Sequence, residues 1–133
     1  MEQKEKELLL KDFCTRLPYH DLYVQYDNKC WLAIGYGHGK VELMPNIFSS
    51  IAGPCPLIED IKPYLRPMSS ITEKEKEEFE NLLEGIVDGI ERWDKPDLCE
   101  EYDWLNAHHF DYRGLIEKGL ALEVPEGMYK ENN

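Results

Sequence analysis

The hydrophobic period of this chain changes near residue 18, and that change limits the folds open to it. Before it, Leu9, Phe13 and Leu17 recur at helical spacing with Leu10 beside them, so Glu2–Arg16 reads as an amphipathic helix. Lys4, Lys6 and Lys11 alternate with Glu5, Glu7 and Asp12 on what would be its exposed side. Leu17-Pro18 ends it, because a proline ring pushes the preceding residue out of the helical region. After it, Leu22–Tyr26 alternates and is rich in β-formers, Asp27-Asn28-Lys29 is a turn, and Cys30–Tyr36 is a second β run. Gly37-His38-Gly39 turns the chain again into a third strand, Lys40–Met44.

Ile47–Ile51 reads as a fourth strand and residues 52–56 as a loop. Leu57–Ile61 reads as one helical turn, and the two prolines of Lys62–Pro67 make that stretch an edge or closing strand. A helix followed by such a meander predicts an α+β chain: an N-terminal helix plus a small SH3-like antiparallel β-barrel over residues 1–70. An acidic helical region, 71–133, would pack on it.

The second part opens on the sharpest local signal. Thr72-Glu73-Lys74-Glu75 is a capping box, in which the Thr72 hydroxyl accepts from the Glu75 amide and the Glu75 carboxylate reaches back. Phe79, Leu82, Leu83, Ile86 and Ile90 then follow at helical spacing, with Gly85 and Gly89 weakening the helix near Gly85–Asp88. Leu98–Phe110 predicts another helix carrying Tyr102, Leu105 and His109 in one row. Asp111 would cap a short helix over Tyr112–Lys118 closed by Gly119. Leu120–Val124 is a short apolar segment, and Glu126–Asn133 reads as loose.

Charge is divided unequally between these parts. Residues 1–70 carry eight Lys/Arg against nine Asp/Glu, and residues 71–133 carry seven against eighteen, so the second part holds −11 of the net −12. Such a surface repels phosphate backbones, which disfavours direct nucleic-acid binding; a partner drawn by charge would be basic. Met1–Lys6 is charged and Leu8–Leu10 is too short for a signal core, and no segment approaches the ~20 apolar residues of a membrane span. A cytoplasmic, reducing setting is therefore the expectation, with Cys14, Cys30, Cys55 and Cys99 free and partly buried. Their spacing is a poor zinc pattern, and neither a metal nor another cofactor is expected.

Three long blocks resemble known sequences: Leu8-Leu9-Leu10-Lys11-Asp12 with Arg16-Leu17-Pro18-Tyr19, then Ile61–Ser70, then Trp104–Ala121. Together they are similar to a family of small uncharacterised proteins from anaerobic gut bacteria and their phages or prophages. The resemblance is loosest over residues 25–56 and 82–102. It implies a cytoplasmic origin and a mobile-element neighbourhood, and it assigns no site residue.

Two groups of residues stand out as candidate binding sites. His108, His109, Asp111 and Arg113 lie within six positions. A histidine near neutral pKa, oriented by Asp111, would serve as a base, and Arg113 would hold an anion. The competing structural role is a helix corner with capping and ion pairing. As metal ligands, His108 and His109 would point about 100° apart on a helix, and His20 and Asp21 could join only through folding. The second group is aromatic: Tyr23, Trp31 and Tyr64, with Tyr19, Tyr26 and Tyr36, could line a peptide groove or form core. The leading reading is a non-enzymatic protein-interaction module of bacterial or phage origin. One alternative is an acidic mimic of nucleic acid, with Glu73, Glu77, Glu80 and Glu84 in a row, occupying a basic protein cleft. The other is a small hydrolase or transferase built on His108–Arg113.

Overall fold

A computed structural model describes residues 2–19, 22–45, 53–84, 86–87, 90–91, 98–125 and 128–129. Helix α1 (Gln3–Arg16) begins at a reciprocal cap, in which the Glu2 backbone N–H donates to the Glu5 carboxylate at 3.2 Å. It lays Leu9 and Phe13 into the core. The strands β1 (Tyr23–Tyr26), β2 (Lys29–Gly37) and β3 (Lys40–Met44) form an antiparallel meander. Each turn takes two residues in left-handed backbone: Asp27 and Asn28 at φ 52° and 59°, His38 and Gly39 at 53° and 78°. Turns of this hand match the twist of the strands they join. A bulge between Ala33 and Gly35 shifts the β2–β3 register and leaves Ile34 exposed.

Residues 53–56, expected to be a loop, run beside β3 together with Leu57, expected to open a helical turn. Val41 N–H donates to the Pro56 carbonyl at 2.8 Å, Leu43 N–H to that of Pro54 at 3.3 Å, and Lys40 bridges Leu57. Gly53 makes this approach possible, since a Cβ there would stand 2.3 Å from the Leu43 carbonyl oxygen. The predicted strand Ile47–Ile51 lies outside the described residues. After a 3-10 turn at Ile58–Asp60, β4 (Lys62–Leu65) pairs antiparallel with β1. A second 3-10 turn, Met68–Ser70, leads into α2 (Glu73–Glu84), whose capping box forms as read: Thr72 N–H to Glu75 at 3.0 Å and Glu75 N–H to the Thr72 hydroxyl at 3.2 Å.

Beyond α2 a short hairpin, β5 (Ile86–Val87) and β6 (Ile90–Glu91), stands where the helical spacing ran on to Ile90. Helix α3 spans Leu98–Ala107, shorter than read, and β7 (Leu122–Glu123) joins β4 in parallel. The sheet is therefore mixed and open, in the order β3-β2-β1-β4-β7. Strand β4, read with the two prolines of Lys62–Pro67 as an edge or closing strand, sits inside it. The chain is α+β as expected, and the closed SH3-like barrel is not seen in this strand order.

Register divides the sheet faces. Val24 pairs with Trp31 and Pro63, and these share the α1 side with Ala33, Val41 and Leu43. Leu115, Leu120 and Ala121 join the same buried cluster, so the second part of the chain helps build the core of the first. Tyr23 and Tyr64 fall on the opposite face, where Tyr129 covers them. The Tyr129 hydroxyl accepts from Tyr23 N–H and donates to the Tyr64 carbonyl, both at 2.9 Å. It stands where β1 and β4 part, bridging backbone groups as a water would elsewhere. Tyr129 thus anchors part of a tail that composition read as loose, and burial pushes its hydroxyl pKa up. Tyr129→Phe leaves both backbone groups without that partner; it should cost about 2 kcal/mol, read as a lower denaturant midpoint with an unchanged slope.

Candidate functional site

The corner after α3 gathers the residues singled out by sequence. Two backbone bonds end the helix, His109 N–H to the Asn106 carbonyl and Phe110 N–H to that of Leu105, both at 3.0 Å. His109 takes the left-handed position of this cap, at φ 57°, where glycine is usual. The row of Tyr102, Leu105 and His109 is accordingly broken: Tyr102 is exposed, while His109 lies beyond the helix and is buried. Asp111 caps the next segment, as expected, accepting from Leu115 N–H at 2.8 Å and Ile116 N–H at 3.0 Å. That segment is a set of turns closed by Gly119 at φ 76°, not the predicted helix.

The four candidate side chains turn to different partners. The His108 ring lies 4.2 Å from that of Trp104, with Nδ1 3.5 Å from the Glu75 carboxylate. Burial lowers its pKa, against the pull of Glu75 and Glu78, which favours the neutral ring. The His109 ring packs at 4.6 Å on Tyr129. Asp111 holds backbone amides. Arg113 bonds Asp12 at 2.7 Å and stacks 4.6 Å over Tyr112. A base with an orienting carboxylate, which the hydrolase reading needs, is not assembled from these four. The aromatic group is divided likewise. Tyr23 packs on Tyr129, the Tyr64 carbonyl is held by the same residue, and Trp31 lies across the sheet with its indole N–H on the Tyr26 carbonyl at 3.1 Å.

Two ion clusters flank the corner, and sequence reasoning missed both. Arg66 grips buried Glu75 through two bonds of 2.7 and 2.6 Å and lies 4.3 Å over the Phe110 ring. On the other side, Asp12 and Arg16 are fully buried, although Asp12 was assigned to the exposed side of α1. The available signal was the Asp12-to-Arg16 spacing of four, with Arg16 following Leu9 and Phe13 on the inward face. Cys14, Cys30 and Cys55 are free and exposed, where partial burial was expected. The side chain of Cys99 lies outside the described residues, as do His20 and Asp21. Among the described residues no group of three or more His, Cys, Asp or Glu is placed to hold a metal ion, and no helix is long and apolar enough to cross a membrane.

Where α1, α3 and the corner meet, a groove of about 580 Å³ opens. Lys11 and Thr15 line it from α1, Tyr102, Asp103 and Asn106 from α3, and Tyr112 and Arg113 from the corner. The Tyr112 hydroxyl donates to Asn106 Oδ1 at 2.9 Å, and the Tyr102 and Tyr112 rings stand 5.2 Å apart. At the rim the Tyr19 hydroxyl donates to Asp103 at 2.7 Å, which pushes its pKa up to about 12. Comparison with known protein families, curated proteins and solved structures finds no match to this chain.

The Glu75 carboxyl gives the site a pH signature. Burial alone would raise its pKa, but the hydrogen bonds and charge of Arg66, with those of Thr72, hold it at about 2 against an ordinary 4.5. A depressed carboxylate contributes its full stability above the unfolded value and loses it as pH falls towards the folded one. Denaturation followed from pH 6 to 2 should therefore show about 3 kcal/mol lost below pH 4.5. Glu75→Gln should cost about 3–5 kcal/mol at pH 7 and flatten that acid limb.

Proposed function

We propose that the protein is a non-enzymatic protein-interaction module whose partner seats in the groove between α1 and α3. The observation that carries this reading is the groove lining, with exposed Tyr102 beside Tyr112 and a stacked Arg113. Tyrosine and arginine are among the residue types enriched at the energetic centres of protein interfaces, tyrosine because it buries much area at little entropic cost and arginine because it offers a planar fork of donors. The candidate catalytic groups favour the same reading, since each is occupied in building the corner. The partner would come from the bacterial or phage setting that the sequence resemblance implies.

An SH3-like closure of the sheet fits this reading and has specific support. Residues 53–57 pair along β3 at one edge, and after one 3-10 turn β4 pairs along β1. A chain that serves both sides of a meander within so few residues favours a curled sheet, which supports this part of the proposal.

The acidic-mimic alternative draws on exposed Glu73, Glu77 and Glu80 along α2; the side chain of Glu84 lies outside the described residues. Lys74 and Lys76 share that surface with them and dilute its charge. A pull-down from a bacterial or phage-infected lysate, quantified by mass spectrometry, separates the readings. The interaction reading expects one partner near stoichiometry, reduced about tenfold by Tyr102→Ala and unchanged by Glu77→Lys. Loss on Glu77→Lys, with steep weakening by salt and competition by DNA, would favour the mimic. Turnover of any substrate class that vanishes in His109→Ala would overturn the non-enzymatic reading.

A further inference from the structure

Two guanidinium groups share one carboxylate behind the groove, and one of them, Arg113, lines it. Arg16 reaches Asp12 through Nε at 2.8 Å and Nη2 at 3.1 Å, and Arg113 Nη1 meets the same Oδ1 at 2.7 Å. The Asp12 and Arg16 side chains are wholly buried and that of Arg113 is 16% exposed. The trio carries one uncompensated positive charge, and no second carboxylate reaches it among the described residues. Charge withdrawn from water is normally balanced by a partner, since its desolvation costs several kcal/mol.

Arg16 Nη1 is buried with no hydrogen-bond partner among the described residues, and the other unused donors of the trio belong to Arg113, which lines the groove. Arg113 spends Nη1 on Asp12 and Thr15, while its Nη2 and Nε bond no described residue. Asn106 gives its oxygen to the Tyr112 hydroxyl, which leaves the amide nitrogen as a donor. Lys11 stands on the lining without an ion pair among the described residues. Asp103 is the one acid on that lining among the described residues, and it accepts the Tyr19 hydroxyl. In a chain of net charge −12, this groove is rich in hydrogen-bond donors and carries the cations Lys11 and Arg113 on its lining.

We propose that the groove is a carboxylate site, in which a glutamate or aspartate of an acidic, tyrosine-bearing peptide segment pairs side-on with Nη2 and Nε of Arg113. The edge of a guanidinium matches a carboxylate through two parallel bonds. Lys11 and the Asn106 amide add donors, and Tyr102 offers a ring to the neighbouring residue. The peptide source rests on the interaction-module reading; a free small carboxylate would share the chemistry.

Nitrogen-15 NMR of the wild-type protein tests this. The probes are the peptide acetyl-Glu-Tyr-Glu-amide, its Gln-Tyr-Gln counterpart, benzoate and inorganic phosphate. The Glu peptide should shift the Arg113 Nε–H and the Asn106 side-chain amide saturably, with the Gln peptide at least about tenfold weaker. Arg113→Lys, which keeps the charge and removes the fork, should weaken the Glu peptide about tenfold as well. Tighter binding of benzoate than of the Glu peptide would keep the carboxylate chemistry and move its source to a small molecule. Absence of saturable shifts with either carboxylate up to millimolar concentration overturns the proposal in the wild type alone. Equal response to the Gln peptide or to phosphate does so too. If the Glu peptide binds but partner capture ignores Tyr102→Ala, the interaction reading fails and the carboxylate site stands. If capture depends on Tyr102 and no carboxylate titrates, the reverse holds.

Discussion

The parallel bridge between Arg66 and Phe110 ties the sheet to the helical half of the chain. Arg66 N–H donates to the His109 carbonyl and Asp111 N–H to the Arg66 carbonyl, both at 2.8 Å, so Phe110 is clasped from either side by backbone. Its own carbonyl takes Arg16 Nη2 at 2.5 Å, and its buried ring lies under Arg66 and beside Trp104. One residue thereby receives α1, the end of β4 and the end of α3. The remaining contacts between the two parts depend on its position. Glu75 is brought to Arg66, Arg113 is brought to Asp12, and Leu115 enters the core. Backbone pairing of this kind fixes relative orientation in a way that apolar contact, which has no direction, does not.

The two ion clusters that flank Phe110 differ in their charge balance. Arg66 with Glu75 is a neutral, bidentate pair whose remaining carboxylate capacity goes to the Thr72 N–H, so both members are satisfied. Such a pair contributes orientation more than net stability, because the attraction mainly offsets desolvation. Asp12 with Arg16 and Arg113 is one negative charge short. The shortage lies on the side where the groove opens, and the balanced pair lies on the side that Trp104, His108 and Phe110 close over.

Much of the fold was legible because local rules and tertiary packing agreed. Helix α1, the three meander strands, the 3-10 turn before β4 and the Thr72–Glu75 box all arise from period and turn chemistry that the packing reinforces. The misreadings have physical causes. Helix α3 was read to Phe110 because its cap is a histidine in left-handed backbone, and a sequence scan looks for glycine there. Strand β4 was read as an edge or closing strand because prolines lack a ladder donor. It lies inside the sheet because the pairing with β1 spans only Val24 with Pro63 and Gln25 with Lys62, and the Tyr129 hydroxyl bridges where the ladder stops. Asp12 was placed outside because it continues a row of alternating charges that is usually a solvated face, and its second partner, Arg113, is 101 residues away.

The candidate site was legible in its position and not in its composition. The stretch from His108 to Arg113 was singled out because polar and aromatic residues are dense there, and density is what a corner of this kind requires. Every reversal of the backbone leaves amides and carbonyls that helices and strands would otherwise satisfy. Asp111 answers that need with both carboxylate oxygens, and Arg16 answers it at the Phe110 carbonyl. Once those duties are assigned, Arg113 keeps donors that bond no described residue, and the groove it lines is completed by α1 and α3. The chemistry of the groove thus belongs to no single segment. It arises where three segments, individually occupied with structure, leave one cation incompletely matched.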